Sequence, residues 1–153
     1  LGLEPIRGDL MNRKPTKRNA NIVTKNMLKK ILYSGTIMII LFMIQSKLNI
    51  LGVEDKEKST VLFVMFVMFQ IFNSFNSREL GRDSIFKHFL DNKLMLLSML
   101  GTFILQIIAV QYAGGFFNTT PLSFNTWLKI IGMSFIVIIA AEVFKIFERL
   151  IKK

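Results

Sequence analysis

Four long apolar stretches alternate with polar segments along the chain. Each stretch stays predominantly hydrophobic over 18 residues or more, which is typical of a membrane span. A helix of 19 residues is roughly 28 Å long, close to the thickness of the hydrocarbon layer. The pattern therefore predicts an all-α protein, an integral membrane four-helix bundle, with spans at about 27–45, 60–77, 94–112 and 127–147.

The segment before the first span has the composition of a loop. Residues 1–26 are rich in Asn, Arg and Lys, and Pro5 and Pro15 discourage a continuous helix. We interpret residues 1–26 as a cytosolic loop and residues 27–153 as one four-span domain, with Thr24 as the N-cap of the first span. Because the chain opens on such a loop at Leu1, we expect it to be a piece of a longer protein.

Composition and charge support a membrane setting. The chain of 153 residues is 52% hydrophobic, has a mean hydropathy of +0.46 and carries a net charge of +10. Sixteen of its 20 Lys and Arg residues lie before or in the first turns of the first span, between the second and third spans, or from Lys145 to the end of the chain. By the positive-inside rule, both termini and the middle loop are predicted to be cytosolic. A nucleic-acid partner is not expected, because the basic residues flank apolar spans rather than line one polar face.

The polar residues do not form a common catalytic or metal-binding motif. The sequence has no cysteine, no phosphate-binding glycine loop, and neither the HExxH nor the GxSxG motif. His88 has no second ligand near it in sequence, and we interpret it as an ordinary interfacial residue. Glu142 is the one candidate intramembrane charge, and Lys145, three residues later, is within its reach on a helix whereas Lys129 is not. We therefore expect no catalytic, cofactor-binding or metal site in this chain.

The second span carries a polar stripe. Gln70, Asn73, Ser74 and Ser77 fall on one helical face. Gln70, Asn73 and Ser77 are the best functional candidates, since amide oxygens can ligate a hard cation. The stripe contains no carboxylate to neutralise such a cation, so hydrogen bonding between helices is the favoured interpretation.

Three sequence motifs resemble one family of membrane proteins. The opening segment places E-P before L-M-N-R-K-P, the second span ends in FQIFNSFNSREL with the pattern F-N-x-x-N-x-R, and the fourth span ends in AAEVFKIFERL. In this order they resemble the C-terminal membrane region of type II P-type cation-transporting ATPases, closest to the plasma-membrane-type calcium pump. The resemblance implies that the four spans are the seventh to tenth of a ten-span pump.

The same resemblance implies what the chain does. In the family the phosphorylated aspartate, the ATP-binding domain and most ion ligands precede this region. The chain would form a supporting bundle in the cell membrane without ATPase chemistry of its own. Its partners would be the lipid bilayer and the remaining spans and cytosolic domains of the pump, which as a whole would need ATP, magnesium and calcium. Gln70 matches a position that is glutamate in sarcoplasmic-type pumps and glutamine in the plasma-membrane type, which implies one calcium per cycle. The alternative is a free-standing four-span scaffold or regulatory protein.

Overall fold

The computed structural model describes residues 24–78 and 92–151, and all the long elements in these two ranges are helices. The described helices are α1 (Lys25–Leu48), α2 (Lys58–Arg78), α3 (Lys93–Gln111), α4 (Gly114–Phe117) and α5 (Phe124–Ile151), with a 3-10 turn at Asp55–Glu57 before α2. His88 and most of the predicted cytosolic loop at 1–26 lie outside the described residues.

The ends of α1 follow the local sequence. The Thr24 Oγ1 atom accepts a hydrogen bond from the Met27 amide at 3.2 Å, which confirms Thr24 as the N-cap. At the other end Asn49 adopts a left-handed conformation with φ 44°, and its amide donates to the carbonyl of Gln45. Asparagine tolerates this conformation better than most residues, so it is a suitable helix terminator.

Helix α2 is the centre of the bundle. It packs against α1, α3 and α5, and its contact with α5 is the most extensive of the three. The buried side chains of α2 recur at the spacing of one helical face, and those of α5 face them. The core formed in this way includes Val61, Val64, Met65, Met68, Phe69, Ile130 and Val137.

Many large apolar side chains remain on the outside of the bundle. Leu97, Leu100 and Leu105 on α3 are more than half exposed, as are Ile39 on α1 and Ile139 on α5. A water-soluble protein rarely exposes an apolar surface of this extent, whereas lipid tails or neighbouring membrane helices would cover it.

Four helices in the described part of the chain are long and apolar enough to cross a membrane. They correspond to Met27–Leu48, Asp55–Ser77, Lys93–Gln111 and Phe124–Phe147. Together with their packing around α2, these helices confirm the predicted all-α membrane four-helix bundle. The limits of the membrane-embedded part of each helix, and its orientation, stay predictions.

The predicted loop between the third and fourth spans contains helical structure. The predicted spans leave residues 113–126 as a connecting loop, but Gly114–Phe117 forms one helical turn and α5 already begins at Phe124. The turn ends at Asn118 with φ 52°, a left-handed conformation. Helix α5 begins earlier than expected because the Ser123 oxygen accepts from the Thr126 amide, which is the geometry of a helix cap.

Candidate functional site

The structure separates the residues of the predicted polar stripe. Gln70 is exposed on the surface of α2, while Asn73 and Ser77 line a cavity. The Ser74 and Ser77 hydroxyls donate to the carbonyls of Gln70 and Asn73, at 2.8 Å and 3.0 Å, and so bond within their own helix. These two hydroxyls therefore donate within α2, and a role of the stripe in joining helices stays a prediction.

Asn76, which lies beside the stripe, makes the contact between helices. Its Nδ2 atom donates to the carbonyl of Val137 on α5 at 3.4 Å. Its Oδ1 atom is buried and has no hydrogen-bond partner among the residues described. A buried amide oxygen without a donor is energetically unfavourable, so this atom can accept a hydrogen bond from a further group.

A cavity of about 190 Å³ lies between α1, α2 and α5. It is near the start of α1 and near the ends of α2 and α5, which is where the basic segments of the chain lie; we call this the basic end of the bundle. Tyr33 and Phe144 form part of its wall, with ring centroids 4.6 Å apart. The lining consists of Lys30, Ile31, Tyr33, Ser34, Gly35, Met38, Asn73, Asn76, Ser77, Ala141, Phe144 and Lys145.

Small residues on α1 help to create this space. A Cβ atom built on Gly35 would meet no other atom within 4 Å, apart from its immediate surroundings on the helix. The Ser34 hydroxyl donates to the carbonyl of Ile31 on the same helix at 3.4 Å. At this point α1 therefore leaves room instead of making close contact with a neighbouring helix.

The acidic candidate Glu142 is paired as the sequence predicts. The Lys145 Nζ atom lies 3.2 Å from Glu142 Oε1, and the side chains are 3% and 15% exposed, respectively. Lys129 is elsewhere, donating to the carbonyl of Leu51 at 2.8 Å. Because both side chains are mostly buried, loss of either one would remove a charged contact from an environment with little water to replace it.

The opposite end of the bundle, which we call the loop end, is held together by hydrogen bonds between its loops. The Thr120 amide donates to Thr60 Oγ1 at 2.9 Å, and the Thr120 hydroxyl donates to the carbonyl of Lys56 at 3.1 Å. Thr60 is only 2% exposed. These bonds connect the segment before α5 to the start of α2.

Side-chain amides reinforce the loop end. Gln111 donates to the carbonyl of Leu122 at 2.8 Å and accepts from the amide of the same residue at 3.1 Å. Gln45 accepts from the Leu51 amide at 3.0 Å. Each glutamine thereby satisfies backbone groups of a segment that connects two helices.

Sequence reasoning could not identify the cavity. The sequence shows Asn76 as a polar residue of the second span. It does not single this residue out, because Asn76 lies on a different part of the helix surface from Gln70, Asn73 and Ser77. The cavity depends on the approach of three helices, which no spacing in one helix specifies. In the described ranges, no group of three or more His, Cys, Asp and Glu residues is placed to hold a metal ion.

Comparison with known proteins identifies the family. Residues 1–147 match the family model for the C-terminus of cation transporting ATPases. The chain is 28% identical to "Probable calcium-transporting ATPase 8, plasma membrane-type" of Oryza sativa subsp. japonica, over 95% of the chain and 15% of that protein. It is 32% and 35% identical to calcium-transporting ATPases 2 and 10, plasma membrane-type, of Arabidopsis thaliana, over 89% and 87% of the chain and 14% and 13% of those proteins.

The chain thus spans about one seventh of the length of these relatives. The matched part includes α1, α2 and α3 and continues through α5 to residue 147. The resemblance found in the three sequence motifs is confirmed, and the chain belongs to the family of cation-transporting ATPase C-terminal domains.

Proposed function

We propose that this chain is the trailing membrane part of an ATP-driven calcium pump, in which it supports the spans that carry the ion. The observation that carries the proposal is the match over residues 1–147 to the C-terminal domain of cation-transporting ATPases. Relatives of the plasma-membrane type are named as calcium-transporting, which favours calcium as the ion and the cell membrane as the location. The whole pump would use ATP and magnesium, and its remaining spans and cytosolic domains would be the partners of this chain.

The polar residues of α2 are proposed to support the pump rather than to ligate its ion. Gln70 is exposed on the bundle, and Phe63 and Phe66 follow the same face towards the loop end. This face is suited to pack against the remaining spans, with the Gln70 amide as a hydrogen-bonding group. Without a carboxylate, Gln70, Asn73 and Ser77 provide no charge to compensate a divalent cation.

The experiment that tests the proposal measures ATP hydrolysis as a function of calcium concentration. The full-length natural protein should hydrolyse ATP in a calcium-stimulated manner, whereas the 153-residue chain alone should show no hydrolysis. Calcium-stimulated hydrolysis by the chain alone would contradict the supporting role. The coding sequence upstream of Leu1 provides a second check, because a pump requires an open frame with a D-K-T-G-T phosphorylation motif.

The alternative to the pump is a free-standing scaffold or regulatory protein, and the same checks distinguish the two. If the open frame starts close to Leu1 and membranes contain a product near 17.6 kDa, the chain acts on its own. The family relationship would then describe its ancestry, and the proposal of a pump would fail.

A further inference from the structure

The cavity at the basic end combines apolar walls with cationic groups. Ile31 and Met38 provide aliphatic surface, and Ile31 is 56% exposed, so the cavity reaches the outer surface of the bundle. Lys30 and Lys145 contribute the two charged side chains among the described lining residues, and Lys145 also pairs with Glu142 just outside the lining. A ligand that fits this surface needs an apolar part and an anionic part.

The lysines are placed to bind the anionic part. An ammonium group has three N–H donors, so a lysine that already has one partner can donate to a further acceptor. Lys145 has such a partner in Glu142, and its side chain is held almost completely out of solvent. Basic pockets between membrane helices on the cytosolic side are suited to lipid headgroups, and the positive-inside rule places this end in the cytosol.

Asn76 specifies a second property of the ligand. Its Oδ1 atom is a buried acceptor without a donor among the described residues. Its Nδ2 atom donates a hydrogen bond to the carbonyl of Val137. A phosphate oxygen cannot satisfy this atom, because both groups are acceptors. A hydroxyl group next to the phosphate can donate to it.

We infer that this cavity binds the headgroup of an anionic glycerophospholipid that carries a hydroxyl, with phosphatidylglycerol as the simplest example. The phosphate accepts from Lys30 and Lys145, a headgroup hydroxyl donates to Asn76, and an acyl chain follows the aliphatic surface of α1. The site lies at the headgroup level at one end of the helices, where both parts of a lipid are present in a membrane. Gly35 is required as a small residue, since a larger side chain there would project into the cavity.

The test measures lipid retention by the full-length natural protein. The protein is exchanged into an equimolar mixture of phosphatidylglycerol, phosphatidylethanolamine and phosphatidylcholine, and bound lipid is counted by native mass spectrometry. We expect preferential retention of one phosphatidylglycerol. The Lys30→Gln variant should weaken its binding about tenfold, since one charge-assisted hydrogen bond is lost.

Matched variants separate this site from general attraction to a basic surface. Lys29→Gln removes the same charge from the neighbouring residue, which is exposed and does not line the cavity, and should leave retention unchanged. Gly35→Leu should abolish retention by filling the cavity, whereas Gly101→Leu on α3, where added atoms also meet open space, should not. Thermal unfolding of each variant establishes that it is folded.

Three results would overturn the inference. Equal retention of the three lipids would show that the headgroup is not recognised. Equal losses in Lys29→Gln and Lys30→Gln would show diffuse attraction to basic residues. Normal retention in a folded Gly35→Leu protein would show that the lipid binds elsewhere and that another part of the protein, such as a further span, occupies the cavity.

Discussion

The two ends of the bundle differ in how their helices are joined. At the loop end, the side chains of Thr60, Gln111 and Lys129 form hydrogen bonds with backbone groups of the segments that connect the helices. At the basic end, small residues of α1 and the polar end of α2 surround a cavity. Substitutions at the loop end should therefore act through lost fixed contacts, while those at the basic end should act through charge and available space.

The largest effect is expected at the basic end for Lys145→Met. Removal of the ammonium leaves the mostly buried Glu142 carboxylate without its 3.2 Å partner, at a cost of about 3 kcal/mol in the free energy of unfolding. Unfolding in detergent solution measures this loss. The double variant Glu142→Gln with Lys145→Met should recover most of it, and equal stabilities of the single and double variants would contradict the coupling.

The same small substitution should have opposite effects at the two ends. In Gly114→Ala at the loop end, the new Cβ would lie 2.5 Å from the Thr119 carbonyl oxygen, so the backbone must shift, at a cost of about 2 kcal/mol. In Gly35→Ala at the basic end, the Cβ meets open space, and the higher helix propensity of alanine should stabilise α1 by up to about 1 kcal/mol.

Chemical unfolding of these two alanine variants, under one set of conditions, measures both changes. In lipid-free detergent, a destabilised Gly35→Ala protein would mean that another part of the protein occupies the space next to Gly35. An unchanged Gly114→Ala protein would mean that the loop end adapts easily, and the distinction between the two ends would then fail.

A smaller effect is expected when one hydrogen bond of the loop end is removed. Thr60→Val retains the shape of the side chain but deprives the Thr120 amide of its acceptor, which should cost about 1–2 kcal/mol. Faster hydrogen exchange of the Thr120 amide should accompany the loss of stability. Thr102→Val is the matched control, since that hydroxyl is exposed and bonds only to the Ser98 carbonyl of its own helix.

The sequence predicts the helices much better than it predicts their contacts. Continuous apolar runs identify the four long helices, and residue spacing identifies the pairing of Glu142 with Lys145. These features depend on residues close together in the chain. The local geometry of a helix is sufficient to predict them.

The long-range contacts have no such local signal. Thr60 and Thr120 are joined through a backbone amide, and any hydroxyl of suitable position could make that bond. Of the predicted stripe, Ser74 and Ser77 bond back to carbonyls one turn earlier, and a role of Gln70 and Asn73 in joining helices stays a prediction. A serine in a helix can always make this local bond, so its presence on a face does not establish a contact with another helix.

The measurement that tests the supporting role most directly is the calcium dependence of ATP hydrolysis by the full-length protein with Gln70→Ala. If Gln70 packs against neighbouring spans and does not ligate the ion, the apparent calcium affinity should stay within about twofold of the unmodified protein, with the main effect on stability. A loss of apparent calcium affinity of about tenfold or more in a normally folded variant would contradict the account, because it would make Gln70 part of the ion site.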